Sequence, residues 1–220
     1  MTKRFRFICA AALLPLLAAC NINVVPPTGY TDPKTFDLAS PAPHDALPFA
    51  VEVDTFSNEC SGRYKMVFRE ETNRISIDEY NRWSMPPGSM LTKYLAARFA
   101  IPPGNQNRTA KPVFELDGTV LTCELNKQKK HVDLMIHYFI VESGDESFKI
   151  TGTEDYSIPV DDTTAEAFAD GMNKAAAKFA DQVVAILRKE LEARSDAGDA
   201  SAAKPRSRPV AAPHLFFSSA

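Results

Sequence analysis

From His131 to Glu142 the chain places Val132, Leu134, Ile136, Tyr138 and Ile140 at every second position, with His131, Asp133, Met135 and His137 between them. A repeat of two belongs to a strand, so the first set faces one side of a sheet and the second set the other. The stretches from Val113 to Leu125 and from Phe148 to Ile158 read in the same way. Their connections, Asn126 to Lys130 and Ser143 to Glu146, are short and polar, which predicts an antiparallel meander. One face of that meander is apolar and must be covered.

The cover lies downstream. Thr163, Thr164, Ala165 and Glu166 form a capping-box sequence, and the helix it opens runs to about Ala193 with Phe168, Met172, Ala175, Phe179, Val183, Ile186 and Leu187 on one stripe. A shorter helix follows Pro86, Pro87 and Gly88, where Met90, Leu91, Tyr94, Leu95 and Phe99 recur at three and four, and Pro102 and Pro103 stop it. Upstream, Phe49 to Val53 alternates as a strand, and Tyr64 to Phe68 and Arg74 to Ile77 make a hairpin across Glu71, Thr72 and Asn73. Lys34 to Leu38 reads as an early edge strand. The expected fold class is α+β, an antiparallel sheet of about five to seven strands with two helices packed on one face.

The N-terminus carries an address. Lys3, Arg4 and Arg6 precede an apolar run from Phe7 to Ala19, broken only by Pro15, which is the layout of a secretory signal. At about thirteen residues the run is too short to remain as a bilayer span, which needs ~20. It ends Leu17, Ala18, Ala19, Cys20, which resembles the lipobox of bacterial lipoproteins. Residues 1–19 are then the signal peptide, Cys20 carries the acyl chains, and residues 20–34 form a lipidated, Pro-rich tether. The alternative is an ordinary secretory signal with an incidental cysteine. Asn21 is not the aspartate that resembles an inner-membrane retention signal, so the expected location is the inner leaflet of the outer membrane, facing the periplasm.

Loss of Lys3, Arg4 and Arg6 with the signal moves the formal net charge from −3 to −6. An acidic mature chain is a poor nucleic-acid binder. The Pro-rich composition persists to Pro48, the domain is expected over 35–193, and residues 194–220, rich in Ala, Ser, Pro and Arg, read as a disordered tail in which Leu215, Phe216 and Phe217 are the one apolar cluster. With Cys9 removed and Cys20 acylated, Cys60 and Cys123 remain. They are a candidate disulfide that would close a loop of some 64 residues, worth roughly 4 kcal/mol on the chain-entropy account, or else two buried free thiols.

No catalytic or metal-binding motif is present, so no active site, metal or cofactor is expected. His131, Asp133 and His137 share a strand face, but the two histidines are six positions apart, roughly 20 Å along an extended strand, and cannot hold one ion. The paired acids Glu70, Glu71 and Asp161, Asp162 fall in turns. The segment from Asp78 to Pro87 stands out because it holds the chain's one tryptophan, Trp83, near Tyr80 and Arg82 and directly before a helix. Such residues are enriched at interface hot spots. Trp83 is either a core anchor where strand meets helix or part of a contact surface.

Tyr80, Arg82, Trp83, Pro86 and Pro87, followed by a helix carrying Leu91 and Leu95, together resemble the ABC-type transport auxiliary lipoproteins. Phe36 to Leu38 is similar to the strand with which such domains open, and Arg63, Tyr64 and Met66 to Arg69 to their second-strand region. The resemblance spans approximately residues 35–190, and Ser84 and Met85 depart from it. It implies a non-catalytic lipoprotein that docks an MCE-type periplasmic protein and its ABC permease complex, through which lipid or other hydrophobic cargo crosses the periplasm. A homo-oligomeric ring would suit such a collar, although no sequence feature demonstrates one. On this reading Tyr80, Arg82, Trp83, Pro86 and Pro87 are the candidate partner-binding residues, and Trp83→Ala should weaken binding while the domain stays folded. Rival readings are a lipoprotein that binds a small apolar ligand, one that assists outer-membrane biogenesis, and a periplasmic hydrolase in which Glu115, Asp133 and His137 converge.

Overall fold

The computed structural model describes residues 32–101 and 112–202. The signal peptide, Cys20, most of the tether and the tail after Ala202 lie outside the described residues. The chain divides into two units, Met1–Pro33 and Lys34–Ala220, and every element named below belongs to the second. Its strands are β1 (Lys34–Phe36), β2 (Ala50–Asn58), β3 (Lys65–Glu71), β4 (Arg74–Trp83), β5 (Val113–Asn126), β6 (His131–Glu142) and β7 (Asp145–Pro159). Its helices are α1 (Pro87–Arg98) and α2 (Ala165–Ala202).

Strand β5 organises the sheet. One of its edges carries β6 along nearly its whole length, and β7 follows, both antiparallel as the alternation requires. The other edge is shared: Val113 to Val120 take β2, and Leu125 and Asn126 take β3. Because β2 and β3 follow one another along that edge, both run parallel to β5, and β1 runs parallel to β4. The class is α+β with seven strands and two helices, and the sheet is mixed, in the order β1-β4-β3-β5-β6-β7 with β2 also on β5. Periodicity reports that a strand exists; the direction of its neighbour depends on connections it does not encode.

The inner face of β6 is fully buried at Val132, Leu134, Ile136 and Ile140, and α2 covers it with Phe168, Met172, Ala175, Phe179 and Val183. Phe179 meets Phe56, Tyr138 and Tyr156 edge-on at ring-centroid distances of 6.0, 5.7 and 6.5 Å. Each such side chain contributes about 1.5–3 kcal/mol by leaving water. Helix α2 can lie this close because Gly171 faces β6: a Cβ there would stand 2.5 Å from a methyl of Val132.

One boundary differs from the sequence reading. Helix α2 does not end near Ala193 but continues to Ala202, into the stretch expected to be a disordered tail. Apolar periodicity stops at Leu191, yet Arg194 carries on the attachment: its Nη1 lies 2.5 Å from a Glu142 carboxylate oxygen and its guanidinium sits 4.2 Å from the Phe148 ring centre. At the other end, the Pro-rich residues after β1, inside the expected domain, lie across both helices. Leu38 and Phe49 are buried, Ala39 N–H donates to Asn173 Oδ1 at 2.8 Å, and His44 N–H donates to the Arg98 carbonyl at 2.8 Å. The His44 ring stacks on Phe99, 5.5 Å between centroids. Widely spaced apolar anchors hold this strap, and no period announces them. Among the described residues, no helix is long and apolar enough to cross a membrane.

Candidate functional site

The β3–β4 hairpin is irregular in a way that determines its surface. Val67 pairs with Ile77 and Lys65 with Arg82, so two steps along β3 answer five along β4. The surplus is the bulge from Asp78 to Asn81, where one carboxylate organises the backbone: Asp78 Oδ1 accepts from the Tyr80 and Asn81 N–H groups and Oδ2 from Asn81 Nδ2, each at 2.8 Å. Burial alone would raise the pKa of Asp78, but the hydrogen bonds from Asn81 and Tyr80 favour the charged form and hold it below the usual value. Bulges re-aim side chains, and this one sends Tyr80 outward, 56% exposed.

Beyond the bulge β4 returns to register and delivers Trp83 into the core. There the indole is 2% exposed and meets Phe168, on the first turn of α2, edge-on at 5.0 Å, while Phe68 packs on the same ring at 5.8 Å. The five residues expected to bind a partner are therefore divided. Tyr80 and Arg82 are exposed, and Pro86 is half-buried. Trp83 and Pro87 are buried, which removes them from any docking surface and corrects the sequence reading. The reason is local: Trp83 lies at the inward position that follows the bulge, and Pro87 opens helix α1, where its fixed φ suits the first turn.

What the structure adds is a set of apolar residues the sequence reading left unassigned. Tyr64, Ile75 and Ile77 join Tyr80, already a candidate: among the described residues these four large apolar side chains are 39–56% exposed, and all belong to the hairpin or the residue that leads into it. Ile75 and Ile77 alternate with Ser76 and Asp78, and Ser76, Ile77 and Asp78 border a groove closed by Phe68, Lys127 and Thr163 to Glu166. Strand β1 pairs with β4 only at Asn81, Arg82 and Trp83. Among the described residues, the outer edge of β4 from Arg74 to Tyr80 therefore has no strand beside it, which is the geometry that accepts a further strand. The alternation of Ile75 and Ile77 was visible in the sequence, but a period of two does not say which face looks outward.

The hairpin is also fixed to the domain by charge. Arg69 grips Glu124 at the end of β5 through one guanidinium edge, Nη2 at 2.8 Å from Oε2 with Nε on Oε1, and donates from Nη1 to the Thr72 carbonyl at 2.9 Å. Glu70 accepts from Lys127 at 2.6 Å and from Ser76 at 2.5 Å, and those bonds lower its pKa. Lys65 pairs with Glu79 at 3.2 Å and Arg74 with Glu71 at 3.0 Å on the outside.

The residues weighed for chemistry are dispersed. Glu115 lies opposite Val141, His137 opposite Thr119 and Asp133 opposite Glu124, so successive members stand four positions apart, about 13 Å along the sheet. Each has a different partner: Ser143 Oγ donates to Glu115 at 2.6 Å, Ser157 donates to Asp133, and His137 Nδ1 is 2.9 Å from Thr153 Oγ1. They do not converge. No group of three or more His, Cys, Asp or Glu side chains able to hold a metal occurs among the described residues. The groove beside α2, about 410 Å³, is open and mostly polar, unlike a pocket for an apolar ligand. The thiols of Cys60 and Cys123, by contrast, do come together, with Cys123 buried and Cys60 half-buried.

Comparison with known proteins places these features. A family model described as "ABC-type transport auxiliary lipoprotein component" matches residues 59–184, from the residue before Cys60 through most of α2. Among solved structures, a crystal structure of a Xanthomonas campestris protein assigned to the family DUF330 superposes with a TM-score of 0.56 at 13% identity, covering 73% of this chain and 99% of its own. A crystal structure described only as an uncharacterized protein gives 0.55 at 12% identity, covering 71% and 99%. At these identities the likeness is one of fold. A comparison with curated proteins finds no match.

Proposed function

The chain belongs to the family of ABC-type transport auxiliary lipoprotein components, and from that premise we propose that it is a non-catalytic docking component. Anchored through acyl chains on Cys20 to the inner leaflet of the outer membrane, it receives the distal end of an MCE-type periplasmic conduit served by an ABC permease. The cargo is lipid or another hydrophobic molecule. The observation that carries this reading is the concentration of Tyr64, Ile75, Ile77 and Tyr80 around one hairpin whose outer edge is open. Exposed apolar groups rimmed by charged pairs, here Lys65 with Glu79 and Arg74 with Glu71, mark protein-interaction surfaces.

The tether fits the same task. Lys34 opens β1 opposite Asn81, so the chain enters the domain beside the hairpin. Thirteen residues separate Cys20 from Lys34. Fully extended they reach no more than ~50 Å, which keeps the docking edge close to the membrane that anchors it.

The test is a double substitution, Ile75→Glu with Ile77→Glu, in the full-length chain co-expressed with an MCE-type protein and its ABC permease. Because both side chains are exposed, the thermal midpoint should stay near that of the parent while co-purification of the MCE-type protein falls at least tenfold. Undiminished co-purification by a folded variant would remove the hairpin from the docking surface.

A further inference from the structure

We propose that Cys60 and Cys123 form an intramolecular disulfide, with Cys60 the attacking sulfur and Cys123 the resolving one. Cys60 follows β2, where its N–H and that of Glu59 both donate to the Val120 carbonyl, at 3.2 and 2.9 Å. On β5 the register shifts between Val120 and Thr122, and the next residue, Cys123, points into the core with Sγ 3.6 Å from the Met172 sulfur of α2. The two thiols stand close enough to perturb one another, and Cys60 Sγ donates to Asn58 Oδ1 at 3.3 Å. Two cysteines distant in sequence, both free thiols in this structure, are thus neighbours at the margin of the core, the proximity from which a disulfide forms.

The sites are unequal, and this fixes the order of events. Cys123 is 3% exposed, whereas Cys60 is half-buried and can be reached from solvent. The Cys123 thiol beside it, aided by Asn58 and a backbone N–H, holds the Cys60 thiol below its ordinary pKa despite burial; the same proximity, together with burial, holds Cys123 well above its own. The thiolate is the nucleophile in exchange, so Cys60 reacts first.

The oxidant is an external disulfide, either a small one such as oxidised glutathione or that of a thiol–disulfide oxidoreductase. The Cys60 thiolate attacks one of its sulfurs, forming a mixed disulfide and expelling a thiolate. Cys123, giving its proton to that thiolate, attacks the Cys60 sulfur and expels the second. The external disulfide gains two electrons and leaves as two thiols, and the chain loses two hydrogens. The product ties the β2–β3 connection to the central strand beneath α2. It is independent of the docking role.

Oxidised glutathione is added to the reduced full-length chain, free thiols are then alkylated under denaturing conditions, and peptides are mapped by mass spectrometry without reduction. A peptide linking Cys60 to Cys123 is expected, together with a rise in thermal midpoint that a reductant reverses. Cys123→Ala should collect a glutathione adduct at Cys60, while Cys60→Ala should leave Cys123 unmodified on the same timescale. Alkylation of both cysteines after oxidation would overturn the disulfide, and an adduct on Cys123 forming as fast as that on Cys60 would overturn the order.

Discussion

Replacing Trp83 and Tyr80 one at a time separates what holds the domain together from what it presents. The two residues sit three positions apart on β4, and the bulge directs one inward and the other outward. Trp83→Ala empties a site that is 2% exposed and removes the edge-on contact with Phe168 at 5.0 Å. Deleting a buried tryptophan costs about 3–5 kcal/mol through lost transfer energy and the cavity left behind. Against a total stability of about 5–15 kcal/mol that is a large share, and for a domain of this size it lowers the thermal midpoint by roughly 10 °C. Tyr80→Ala, at a side chain 56% exposed, should change stability by no more than about 0.5 kcal/mol while weakening partner capture. Urea unfolding followed by circular dichroism is the suitable assay, because Trp83 is the chain's only tryptophan and its fluorescence disappears with it. A Trp83→Ala midpoint equal to that of the parent would refute the placement of the indole in the core.

Two further substitutions probe the strap and helix α1. Burial first, and then the Arg98 charge, hold His44 below its ordinary pKa of 6.5 despite Asp181 nearby, so folding favours the neutral ring. This contribution is complete above the unfolded value and is lost as the pH falls through 6.5 toward the lower folded value, so amide protection over Ala39 to Phe49 should fall on acidification. His44→Asn should flatten that dependence, and an unchanged acid response in the variant would assign it to another group. At Gly88, an added Cβ would stand 2.5 Å from the Ser57 carbonyl oxygen and 2.6 Å from that of Phe56. Neither backbone atom can yield, so Gly88→Ala should destabilise by about 1–3 kcal/mol, opposite in sign to the gain of about 1 kcal/mol that helix propensity alone would give. Denaturation midpoints decide, and a more stable variant would sink the contact.

The elements most legible in the sequence are those in which one periodicity runs unbroken: β6, whose half-buried and buried residues alternate from His131 to Val141, and the apolar stripe of α2. Elements that obey two rules at once were harder to read. Strand β4 begins with the alternation of Ile75 and Ile77, loses it through the bulge, and regains it at Trp83, so only its first four residues looked like strand. The strap from Asp37 to Phe49 was masked by its prolines, although Leu38, Leu47 and Phe49 anchor it. Arg194 extends α2 through a salt bridge and a ring contact, neither of which leaves a periodic trace. For the candidate site, Tyr80 and Arg82 are legible as residue types suited to an interface, whereas Ile75 and Ile77 are not, because alternation is silent about which side is wet. The nearness of Cys60 to Cys123 follows from β2 lying alongside β5, a pairing of strands more than fifty residues apart that sequence spacing does not report.

The open edge of β4 suits the docking role proposed for it because the rest of the hairpin is held. Only Phe68 and Arg69 of β3 pair with β5, opposite Leu125 and Asn126, so backbone hydrogen bonds alone would leave the hairpin loosely attached. Other contacts make up the difference. Arg69 binds Glu124 through two guanidinium nitrogens, Lys127 reaches Glu70 from the following turn while lying 4.8 Å from the centre of the Phe68 ring, and Trp83, Phe68 and Phe168 stack beneath. Bidentate charged pairs and edge-on aromatic contacts restrict orientation more than isolated surface charges do. The apolar residues Ile75, Ile77 and Tyr80 are thereby presented on a rigid element with one edge unpaired. A partner strand or apolar face that met it would pay little to order it, and so would retain more of the binding energy of a modest apolar area.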